Sequence, residues 1–81
     1  MERAVDLFAA VEAFLEHARE EKYCNTAFDY LLDAAEALGE AKAHQFHSWD
    51  APGLEPMRLR AEKALRSTFA LLQAKCFPGR Y

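Results

Sequence analysis

Six ionisable residues, Asp29, Asp33, Glu36, Glu40, His44 and His47, recur at steps of three or four along residues 26–48. Wound at about 100° per residue they fall in one narrow strip of a helix. Two chemistries use such a strip. Glu40, His44 and His47, at i, i+4 and i+7, have side chains that can converge on one transition-metal ion. Bundle di-metal centres, however, take Glu-x-x-His from separate helices, whereas here His44 precedes His47 by three and Ala41 precedes His44 by three. The carboxylates Asp29, Asp33, Glu36 and Glu40 rise about one turn, 5–6 Å, per step, which approximates a row of phosphates. An acidic nucleic-acid mimic would use that row to block the basic groove of a nucleic-acid-binding protein, although a net charge of −3 supplies little long-range field. The plainest expectation is the solvated edge of an amphipathic helix.

The strip needs a scaffold, and the composition specifies an all-α one. Alanine, leucine, glutamate and arginine are strong helix formers and dominate the chain; isoleucine is absent and valine occurs only at Val5 and Val11, so strands are disfavoured. The periodicity predicts a single domain over 1–81, a small antiparallel three-helix bundle with helices at about 3–22, 26–48 and 55–76. On the first, Ala4, Leu7, Phe8, Val11, Phe14, Leu15 and Ala18 share one arc. The second opens at a Thr26/Asp29 capping box and turns Phe28, Leu31, Leu32, Ala35, Leu38 and Phe46 inward. Ala35, Gly39 and Ala43 form a line of small residues on it, and both stripes run in phase past Gly39, which makes it one helix. Asp50-Ala51-Pro52-Gly53 marks a turn, Pro56 suits a first helical turn, and the third helix turns Met57, Ala61, Ala64, Leu65, Thr68, Phe69 and Leu72 inward before Pro78-Gly79.

At 81 residues the core is small enough for association to be a natural supplement. No eighteen-residue apolar run and no basic-then-apolar leader are visible, since Glu2, Asp6 and Glu12 interrupt the start, so a soluble, cytoplasmic protein with no membrane partner is expected. Residues 1–53 carry eleven acids against four Lys/Arg and residues 54–81 two against six. Acidic helices against a basic one, or a charged surface for a partner, follow from that asymmetry. The cations of the third helix, Arg58, Arg60, Lys63 and Arg66, are spread around it without aromatic stacking residues, which speaks against direct nucleic-acid binding.

The flank of the second helix with Tyr30, Ala34, Ala37 and Ala41 reads as a smooth surface outside the core, and Trp49 as an aromatic anchor near the turn. Together with Asp29, Asp33, Glu36 and Glu40 these are the expected partner-binding residues. Cys24 and Cys76 come to the same end of a hairpin, where two reduced, partly buried thiols are expected; with His17 they lack the close-spaced pair of a zinc site. Ser48, Ser67 and the cysteines have no base and orienting group beside them. The reading is a non-catalytic, cofactor-free regulator, adaptor or inhibitor that forms a homodimer through the second helix and binds a further protein. A metal-binding bundle and the nucleic-acid mimic are its alternatives.

Overall fold

The computed structural model describes residues 2–49 and 51–77; Asp50 of the expected turn and the Pro78-Gly79 stop lie outside the described residues. Three helices, α1 (Glu2–Glu20), α2 (Cys24–Phe46) and α3 (Glu55–Cys76), pack against one another, with a 3₁₀ turn at Pro52–Leu54 leading into α3. His17 beside Tyr30 and Cys24 bonded to Cys76 fix the up-down-up order. The bundle is elongated, 46 × 20 × 15 Å along its principal axes.

α2 begins and ends two residues before the expected limits, and no capping box forms. Its N-cap is Tyr23, in extended conformation with no side-chain cap, and the Tyr23 carbonyl accepts from the Ala27 amide at 2.9 Å. Glu21 supplies what the cap does not: its Oε1 accepts from the amides of Lys22 and Tyr23 at 2.9 and 3.2 Å, and Lys75 Nζ donates to its carbonyl at 3.0 Å. A carboxylate that satisfies the turn amides lets the helix start earlier, so Thr26 and Asp29 become ordinary helical positions. Gly39 lies within uninterrupted helix, as the in-phase stripes require.

α1 buries Ala4, Phe8, Val11, Leu15 and Ala18 on the expected arc. α2 presents a different face from the expected one. Ala27, Leu31, Ala34, Ala37, Leu38 and Ala41 are buried, whereas Leu32 is 59% and Phe46 82% exposed and Ala35 is exposed. The reason is steric. Interaxial distance is set by the side chains at the contact, and a seam of methyl groups admits α1 closely enough for Phe8 and Leu15 to fill the space. α2 accordingly packs chiefly on α1. α3 adds Ala61, Thr68 and Leu72, with Leu54 as a plug from the 3₁₀ turn, while Phe69 is 44% exposed instead of inward.

The cysteines are joined in a disulfide with Cα atoms 5.9 Å apart, which corrects the expectation of two reduced thiols. The antiparallel hinge brings both helix ends within bonding reach. Closing a loop of this sequence separation, 52 residues, constrains the unfolded chain by roughly 4 kcal/mol in the chain-entropy account, a large share of the stability of so small a domain. Such a bond persists in oxidising surroundings. Among the described residues no helix is long and apolar enough to cross a membrane.

The orientation of α2 is open to a direct check by chemical denaturation in dilute solution. Ala41→Leu overpacks the seam and is expected to destabilise by roughly 1–3 kcal/mol. Ala35→Leu, on the exposed side, should stay within about 0.5 kcal/mol of wild type. The opposite ranking would mean that α2 buries its Phe/Leu side.

Candidate interaction surface

Because α2 gives its alanine side to α1, its second apolar flank faces α3 obliquely and is left partly open. Phe28, Leu32 and Ala35 form one wall of the resulting trough, Leu65 and Phe69 the other, with Leu31 at its floor. The trough holds about 540 Å³, and its rims carry one acid, Asp29, and one base, Arg66.

Two sets of contacts tie α2 to α3 at the ends of the trough. At one, the Cys24–Cys76 bond ties α2 to α3, and the Phe28 ring meets Phe69 edge-on at 6.5 Å and Phe77 at 5.8 Å. The other clamp is polar. The buried Gln45 donates from Nε2 to the Ala51 carbonyl at 3.0 Å and to Glu55 Oε1 at 2.8 Å. Arg58 grips both oxygens of Glu55, from Nε at 2.8 Å and through Nη2, and donates from Nη1 to Glu62 Oε1 at 2.9 Å. Lys42 completes the chain, 2.9 Å from Glu62 Oε2.

Hydrogen bonds from Arg58, then Gln45, hold the Glu55 carboxyl down at about 2. The Lys42 hydrogen bond, followed by Arg58 against opposing desolvation, lowers Glu62, and both carboxylates raise Arg58. A hollow of about 470 Å³ lies beside this network, between Phe46 and Ala51, but its charged groups are committed to one another. The network is structural.

The expected partner surface is mostly interior. Ala34, Ala37 and Ala41 are buried within one chain, so the smooth flank is the α1–α2 seam and is closed to any partner of the folded bundle. Tyr30 is half-buried and stacks on His17, ring centroids 5.4 Å apart at 24°. Trp49 is 82% exposed. Asp29, Asp33, Glu36 and Glu40 all reach solvent; Glu40 approaches Arg3 at 3.9 Å, with both side chains more than half exposed, which contributes little.

The metal candidates are not assembled. His47 is the C-cap of α2, its amide donating to the Ala43 carbonyl at 3.3 Å. Its ring lies against Phe46 at 5.5 Å, and among the described residues no three of His, Cys, Asp or Glu are placed to hold an ion. Of the basic side chains, Arg60 meets Glu12 of α1 at 3.0 Å, and Arg58 and Lys42 serve the polar clamp. Lys63 and Arg66 are exposed and belong to no ion pair among the described residues.

What the sequence reading missed is the second apolar flank as an open surface. Its signal is present in Phe28, Leu32, Ala35, Gly39, Ala43 and Phe46, which at about 100° per residue share one side of α2, next to the acidic strip and away from the alanine seam. No protein-family model matches this chain, and no significant similarity connects it to a curated protein or a solved structure.

The polar clamp predicts an acid response. The folded Glu55 carboxyl sits at about 2 against an ordinary 4.5. A depressed folded value contributes stability that is present above the ordinary value and lost as the pH falls through 4.5 toward 2. Urea midpoints of wild type and Glu55→Gln should therefore converge over that interval, with wild type the more stable at neutral pH. A gap that stays constant would show that Glu55 is not held by Arg58 and Gln45.

Proposed function

We propose that this protein acts by binding other helices in the open α2–α3 trough, as a small regulator, adaptor or inhibitor without catalytic activity. One observation carries the reading: Leu32 and Phe69, on facing walls of a trough clamped at both ends, are 59% and 44% exposed. Leu59 and Phe46 extend the apolar surface beyond it at 54% and 82%. Contiguous apolar surface of this kind on a soluble bundle marks an interaction site, and a groove between two helices with apolar walls and a charged rim is the form that receives the apolar face of another helix.

The lining argues for binding over turnover. Its titratable residues are Asp29 and Arg66, both on the rim, and a nucleophile paired with a base is not among its walls. The mimic alternative has the exposed carboxylate row it needs, but Lys63 and Arg66 stand exposed on the neighbouring helix, and their field opposes docking to a basic groove.

A photoreactive phenylalanine analogue at position 32 tests the reading in cells expressing the protein. Irradiation is expected to give adducts of raised mass from position 32, lost on Phe69→Glu, and none from the exposed α1 position 13. Equal labelling from positions 32 and 13, or none from 32, would reject the trough as a binding surface.

A further inference from the structure

We infer that the trough is occupied by the same face of a second copy of this chain, related by a two-fold axis running along the helices; this rests on the binding role proposed for the trough. The first support is the distribution of unused charge. Across the helices Arg60 pairs with Glu12, Lys42 with Glu62 and Lys75 with the Glu21 carbonyl, and within α3 Arg58 holds Glu55 and Glu62. Asp29, Asp33 and Glu36 along the outer edge of α2, and Lys63 and Arg66 along the outer edge of α3, have no such partner among the described residues. One bank of the trough is an unmatched acid row and the other an unmatched base row.

Their levels correspond. Cys24 beside Cys76 and Lys42 beside Glu62 set the antiparallel register, and interpolating between those pairs places Glu36 level with Arg66 and Glu40 level with Lys63. A two-fold along the helices exchanges the banks, so that the acid row of each copy lies over the base row of the other. A two-fold across the helices would stack acid on acid and base on base, which is unfavourable. The isologous pairing is thus self-complementary in only one orientation.

Shape and size agree with it. A Cβ at Gly39 would meet nothing within 4 Å, and with Ala35 and Ala43 this leaves a shallow path along α2. In the bank-exchanged pairing the partner's α3 runs along that path, and its Leu59, exposed at 54% in the free chain, comes level with Phe46. A face of 46 × 20 Å is of the order of the ~800 Å² that each side of a stable specific interface commits. The pair buries Leu32 and Phe69 in a central four-helix layer made of both copies of α2 and α3.

Sedimentation equilibrium of the untagged, oxidised protein tests the assignment, with circular dichroism confirming that each variant stays helical. Wild type is expected to be a dimer. Glu36→Lys and Arg66→Glu should each weaken dimerisation about tenfold, since two symmetric pairs change from attraction to repulsion, and the double variant should return to the wild-type constant. A helical wild-type chain that stays monomeric at every concentration would overturn the inference, while adducts from position 32 to another protein would still uphold the binding role. Strengthening by Glu36→Lys, or failure of the double variant to recover, would overturn the bank-exchanged geometry.

Discussion

The alanine seam between α1 and α2 is the contact on which the remaining arrangement depends. Ala34, Ala37 and Ala41 offer no side chain beyond a methyl, so α1 can approach α2 there and fill the space with Phe8, Val11 and Leu15. Once that contact forms, the rotation of α2 about its own axis is fixed. Phe28, Leu32, Ala35 and Phe46 cannot also face α1, and α3 is too narrow to cover them all. The open trough is the geometric remainder of a helix with more apolar circumference than two neighbours can bury.

α3 packs on the core through Ala61, Thr68 and Leu72 and is tied to α2 at the two ends of the trough. A covalent and aromatic clamp at Cys24–Cys76 and Phe28 holds one end, and a hydrogen-bonded chain from Gln45 to Lys42 holds the other. The two differ in their dependence on surroundings. The first is sensitive to reductant, the second to acid through Glu55 and Glu62. Exposed ion pairs such as Arg3–Glu40 add little to either.

Much of this was legible in the sequence, and the rest failed for identifiable reasons. The helix count, the α3 start at Glu55 and the burial of Ala4, Phe8, Val11, Leu15 and Ala18 followed from periodicity and from Pro52-Gly53 and Pro56. The face of α2 did not, because hydropathy favours the side with the largest apolar residues, whereas a close seam between helices selects the smallest. That single inversion placed Ala34, Ala37 and Ala41 outside and Leu32 and Phe46 inside. The disulfide was legible as proximity and not as a bond, since spacing carries no information on redox state. The acidic strip was legible as an exposed edge and Lys63 and Arg66 as cations of the third helix; that the two edges flank one trough is visible only in the packed bundle.

The most direct test of the central claim is an isotope-filtered nuclear Overhauser experiment on a mixture of labelled and unlabelled protein, reading the methyl groups of Ala34, Ala37 and Ala41. The seam predicts that these methyls contact the α1 residues Phe8, Val11 and Leu15 of their own chain and none of a second chain. Contacts from the three alanine methyls to a second chain, with the Leu32 methyls found instead against α1, would contradict it.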